Sequence, residues 1–78
     1  LTGANLRDAI LDYAQLLGDL IDVDLREASL FCTLLNCTNL TRANLMGATF
    51  QVSPKGRLIF SDTIMPDGTI NNEDEVYE

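Results

Sequence analysis

Large apolar residues recur at nearly every fifth position over the first fifty: Leu1, Leu6, Leu11, Leu16, Leu20, Leu25, Leu30, Leu35, Leu40, Leu45 and Phe50. Five is the period of neither regular element. Five helical steps carry a side chain roughly 140° around the axis, and an odd step moves it to the opposite face of a flat strand. A chain that keeps all these residues inside must therefore bend once per module. Two positions before each large residue stands a smaller one: Ala4, Ala9, Ala14, Gly18, Val23, Ala28, Thr33, Thr38, Ala43 and Ala48, a row that holds every alanine of the protein. Residues two apart on an extended segment share a side, so each module sends one small and one large side chain inward together. The residue between them, as in Asn5, Asp19, Asp24, Ser29, Asn39, Asn44 and Thr49, is mostly polar and belongs outside or capping the bend.

One module is short. The step from Leu16 to Leu20 is four residues, and Gly18 within it can take the backbone angles of a tightened corner. From Leu20 the five-residue phase runs unbroken to Phe50.

The succession A-N-L-R-D, A-I-L-D-Y, T-N-L-T-R, A-N-L-M-G and A-T-F-Q-V resembles the pentapeptide-repeat family, whose module is a small residue, a polar residue, Leu or Phe, and two variable positions. The resemblance covers residues 1–52 closely, and the ending Thr63-Ile64-Met65-Pro66-Asp67-Gly68-Thr69 is similar to the last coil of cyanobacterial and plastid members. It implies an all-β fold: a right-handed quadrilateral parallel β-helix of about four coils, four modules to a coil, with coils about 4.8 Å apart. Columns then follow. Leu1, Leu20, Leu40 and Phe60 should stack, as should Leu6, Leu25, Leu45 and Met65, and Leu11, Leu30, Phe50 and Ile70; in the small row Ala4, Val23, Ala43 and Thr63 align, as do Ala9, Ala28, Ala48 and Gly68.

Two positions break the scheme. Lys55 would follow Leu16 and Leu35, where an unpaired ammonium costs several kcal/mol, and Leu58 would follow Thr38 in the small row. The expected organisation is a repeat β-helix over 1–52, a loop bulging outward at 53–57, a final coil with a capping turn over 58–70, and an acidic flexible tail at 71–78. Pro66 suits the second position of a turn Met65-Pro66-Asp67-Gly68.

Composition changes this picture little. The chain is 46% apolar, so despite a net charge of −7 it is not a disordered acidic segment. Glu73, Asp74, Glu75 and Glu78 concentrate acid at the end, leaving residues 1–70 with eight acids against five bases. Nothing is basic enough to follow a nucleic-acid backbone, and no apolar run is long enough to insert in a membrane as a helix. The start at Leu1, already on the repeat phase and without Met, points to a preceding segment, and an uncapped first coil points to that segment or to self-association.

Candidate chemistry is sparse. The chain has no His, and Ser29, Ser53 and Ser61 have no base at hand. Asp22 with Asp24, or Asp8 with Asp12, are acid–base pairs only if something desolvates them, and their outward positions predict solvated charge instead. Asp62, Asp67 and the acidic tail are a weak metal set. Cys32 and Cys37 lie one module apart on neighbouring sides, beyond disulfide reach, and read as free thiols. No catalytic, cofactor-binding or metal-binding residue is therefore assigned, no cofactor is expected, and the chain reads as non-enzymatic.

Asp22, Arg42 and Asp62 should form one column of alternating sign, with Asp8 and Glu27 beside Arg7 and Arg26. Such interspersed signs weigh against the alternative that the resemblance brings, a DNA-mimicking rod that binds DNA gyrase. Ile10, Tyr13, Phe31 and Val52 fall near one outer side, with Leu17 and Leu34 on the next. The function expected is a solenoid serving as a structural or protein–protein interaction module with an unidentified protein partner. By the same resemblance the compartment would be the thylakoid lumen or the cyanobacterial cytoplasm or periplasm.

Overall fold

The bend demanded by the five-residue spacing is written into the backbone. The computed structural model describes residues 2–77, and the side chains of these except Leu17, Ser53, Pro54, Lys55 and Tyr77. Positive φ recurs two residues after each large inward residue: at Gly3, Asp8, Tyr13, Gly18, Asp22, Glu27, Cys32, Cys37, Arg42, Gly47 and, past an interruption, Asp62. At several corners the small residue of the next module donates its N–H to the carbonyl of the large residue before the bend. Ala9 donates to Leu6 at 3.1 Å, Ala28 to Leu25 at 3.1 Å, Ala43 to Leu40 at 3.0 Å and Ala48 to Leu45 at 2.9 Å. Positive φ at the third residue of such a hydrogen-bonded turn is the type II pattern. Side chains as large as Tyr13 and Arg42 sit in this left-handed region, so the stacked ladders hold conformations that isolated residues disfavour.

The strands are β1 (Gln15–Asp19), β2 (Ser29–Asn39), β3 (Thr49–Leu58), β4 (Thr63–Ile64), β5 (Ile70–Asn71) and β6 (Glu75–Tyr77). Among the described residues no helix occurs. β1, β2 and β3 pair in parallel, and β2 passes two corners, at Cys32 and Cys37. Parallel bridges continue the ladders on other sides, from Asn5 to Asp24, Asn44 and Ile64, and from Ile10 to Ser29. Successive coils are thus nineteen residues apart before the short module and twenty after it. The register shift between Leu17 and Asp19 falls at Gly18, whose φ is 82°, which marks where the residue is lost. The result is a β-helix-like stack.

From Leu20 to Ala48 both inward rows are buried, while those of the first coil are half-buried or, at Gly18, exposed. Leu20, Leu25, Leu30, Leu35, Leu40, Leu45 and Phe60 are at most 2% exposed, and so are Val23, Ala28, Thr33, Thr38, Ala43 and Thr63 from the small row. The threonines fit because each buried hydroxyl donates to a carbonyl of the preceding coil: Thr33 to Leu11 at 2.7 Å, Thr38 to Leu16 at 3.2 Å and Thr63 to Leu40 at 2.6 Å. Leu1, the expected head of the first column, lies outside the described residues.

Three expectations give way at the C-terminal end. Residues 53–57 are not a bulging loop but part of β3, paired with β2. A one-residue slip between Phe31 and Leu34 sets Pro54 beside Leu35 and Lys55 beside Asn36, so the lysine leaves the leucine column without the strand leaving the sheet. Leu58, too large for the small row of a continuing shaft, is 1% exposed in the last coil.

The phase does not reach Ile70. The turn forms as expected, with Gly68 N–H donating to the Met65 carbonyl at 2.8 Å, but it reverses the chain. Met65 N–H then bonds the Thr69 carbonyl at 2.7 Å, β5 pairs antiparallel with β4, and Ile70 is 56% exposed instead of stacked on Phe50.

The acidic end is not a free tail either. β6 pairs antiparallel with β3, and two side chains ahead of it complete the ladders. Leu20 N–H donates to the Asn39 carbonyl and Leu40 N–H to the Ile59 carbonyl; the next donor in line, Phe60 N–H, has no further coil and donates to Asp74 Oδ1 at 3.3 Å. In the neighbouring ladder Asp22 donates to Thr41 and Arg42 to Ser61, and Asp62 N–H then donates to Asn72 Oδ1 at 2.8 Å. Arg57 holds Asp74 in place at 2.8 Å. Glu78 lies outside the described residues.

Candidate interaction surface

The polar residue between the small and large positions of a module caps the bend that follows. Its side-chain oxygen accepts the N–H two residues on, from Asn5 to Arg7, Asp24 to Arg26, Asn39 to Thr41 and Asn44 to Met46, at 3.0–3.1 Å. Ser29 occupies that place in its module and is too short to reach Phe31. Asp12 of the preceding coil supplies the oxygen instead, accepting from Phe31 N–H at 3.0 Å and from the Ser29 hydroxyl at 2.6 Å.

These bonds account for the acids considered for chemistry. Asp24 is held at about 2, chiefly by the Arg26 guanidinium at 2.8–2.9 Å and then by the Arg26 N–H. Asp22 is lowered by the forked Arg42 contact at 2.7 and 3.0 Å, Asp12 by the Ser29 hydroxyl and the Phe31 N–H, and Asp67 by Thr69. A carboxylate shifted downward is a poor general acid or base near neutral pH.

Asp22 and Asp24 each pair with an arginine, not with one another, and Asp12 turns to Ser29, not to Asp8. Among the described residues no three groups converge on a metal position, and no pocket opens in the surface. Ser29 donates to a carboxylate, Ser61 is exposed, and the Ser53 side chain lies outside the described residues. Cys32 and Cys37 are exposed free thiols at corners of β2. The Asp22–Arg42 and Asp24–Arg26 pairs interrupt the negative charge along the shaft. In the alternating column Arg42 forks onto Asp22, which raises its pKa, and the charge of Asp62 raises it further; Arg26 turns to Asp24, a pairing within one corner that column geometry alone did not single out.

The outer apolar residues are partly gathered. Tyr13 and Phe31 meet edge to face, ring centroids 5.9 Å apart at 87°. Tyr13 is 74% and Ile10 79% exposed. Residues 19–51 match the family model of pentapeptide repeats, in eight copies. That stretch of the stack is similar to the family's repeat. The match ends where β3 slips its register against β2. Among curated proteins, none matches the chain.

Proposed function

We propose that the whole repeat region, and not only residues 19–51, is a pentapeptide-repeat solenoid. Its coils form a right-handed quadrilateral shaft of about four turns, and its work is non-catalytic, as a structural or protein–protein interaction module. The observation that carries this reading is the division of each module between an interior filled by apolar and hydroxyl side chains and a surface whose acids are spent on caps and ion pairs. Family modules of this type serve as structural units. The lateral contact surface is the Tyr13–Phe31 pair with its exposed rings.

The test is capture of proteins from a cell extract on the immobilised chain, compared with Tyr13→Ser and Phe31→Ser variants that keep the far-ultraviolet spectrum of the parent. Retention of a specific protein by the parent and its loss from both variants is the expected result. Equal retention by parent and variants would remove the lateral surface from the proposal.

A further inference from the structure

The turn that ends the parallel stack holds a chemically weak step. Asp67 is the only Asp or Asn of the chain followed by Gly. An aspartyl carboxyl lies one ring closure from the nitrogen of the next residue, and a glycine there puts no side chain in the way. The structure keeps the two apart. Asp67 does not take positive φ, so the turn Met65-Pro66-Asp67-Gly68 is type I, and Gly68 follows it with φ 88°. Gly68 N–H donates to the Met65 carbonyl at 2.8 Å, and the Pro66 carbonyl accepts from Gly47 N–H of the preceding coil at 3.1 Å. Asp67 Oδ1 is turned past Gly68 to Thr69, accepting from its hydroxyl at 2.7 Å and from its N–H at 3.1 Å. Met46 covers the glycine: a Cβ placed on Gly68 would meet Met46 Cε at 3.6 Å.

We propose that Asp67–Gly68 is a latent modification site, shut while this turn is formed and converted to isoaspartate when the turn opens. In the reaction Gly68 N bonds to Asp67 Cγ and gives up its proton, and the carboxyl hydroxyl leaves as water. Water then adds to the main-chain carbonyl carbon of Asp67 in the five-membered imide and breaks its bond to Gly68 N. The backbone now runs through Cβ and Cγ, and the former carbonyl is a free carboxylate; addition at Cγ instead restores aspartate. Water is the only co-reactant.

Each contact opposes that step. Closure rotates the Asp67–Gly68 peptide until its nitrogen faces Cγ, which breaks the hydrogen bond from Gly68 to Met65. Loss of water requires a protonated carboxyl, and the Thr69 hydroxyl, followed by the Thr69 N–H, holds Asp67 below the ordinary carboxylate range. Once formed, isoaspartate adds a methylene to the backbone, so the turn no longer joins Gly68 to Met65 with Pro66 still on Gly47. β5, paired with β4 directly after this turn, and the Asn72 acceptor for Asp62 N–H both depend on the reversal. The change therefore records an opening of the last coil and keeps it open. Its product belongs to the chemical class taken by methyltransferases that esterify the free carboxylate of β-linked aspartate.

This inference is independent of the interaction-module reading. The full chain is aged at mildly acidic pH as parent, as Thr69→Val and Thr69→Ser, and as parent unfolded in urea. After proteolysis the aspartyl and isoaspartyl forms of the peptide carrying residue 67, equal in mass, are separated by chromatography, and the second is confirmed as a methyl acceptor. Unfolding should speed isomerisation about tenfold or more, and Thr69→Val, which removes one acceptor contact of Asp67 with the spectrum of the fold retained, should speed it severalfold. Thr69→Ser, which restores the hydroxyl, should return it to the parent's rate. If Thr69→Val loses the spectrum, urea below the unfolding transition takes its place, and the rate should then rise in step with amide exchange at Gly68. Equal rates in folded and unfolded parent, no isoaspartate in either, a folded Thr69→Val at the parent's rate, or a rate that ignores exchange at Gly68 would overturn the proposal.

Discussion

At the residue scale the fold depends on size inside and on short hydrogen bonds outside. Ala28 is 1% exposed between Ala9 and Ala48, so Ala28→Leu overfills the shaft and should lower stability by about 1–3 kcal/mol in chemical denaturation. Asn39→Ser, on the outer row, should cost much less. Asp24 titrates at about 2 in the folded chain against an ordinary 3.8, with Arg26 as the first cause. A lowered carboxylate stabilises fully above its unfolded value and loses that contribution as pH falls through the folded one. Thermal stability should therefore decline between about pH 4 and pH 2, and Asp24→Asn should flatten that slope. The mid-module caps were readable because Asn and Asp there have a local role. The rescue of Phe31 by Asp12 was not, since it joins residues nineteen apart that only stacking makes neighbours.

At the element scale the β2–β3 seam carries a register slip of its own, besides the one at Gly18 between β1 and β2. Gly56 has φ 75°, and a Cβ placed on it would lie 2.6 Å from Cys37 Sγ. Gly56→Ala should cost about 1–2 kcal/mol from the left-handed backbone alone, and more from displacing the thiol. Cys37→Ala in the same chain should recover the second part, read as a coupling energy in a double-mutant cycle.

Counting by fives puts Lys55 in the leucine column, but a strand can slip one residue against its neighbour and recover later, which a fixed period does not express. β6 follows the same rule of completion. Asp74→Ala should speed amide exchange at Phe60 by removing the acceptor of a donor that has no coil beyond it. No change at that amide would mean that water serves as well as the carboxylate.

At the scale of the whole molecule the chain is a short stack whose last coil is finished by a turn and two side chains. The finish is made by residues that composition marked as a solvated tail, and their sequence offers no repeat to betray the role. Asn72→Ala with Asp74→Ala should free both ladder donors and speed amide exchange at Phe60 and Asp62 together, with the buried rows of the middle coils unaffected.

The spacing of Leu, Ala and Asn along the chain was enough to determine the bend per module, the two inward rows and the stacking of coils, because each is a local consequence of period, volume and turn chemistry. Where the stack stops, how Lys55 leaves its column and which oxygen answers Phe31, Phe60 or Asp62 were decided only by the assembled ladders. Those choices depend on which backbone groups are left facing an empty side, and such groups exist only once the neighbouring coils are in place.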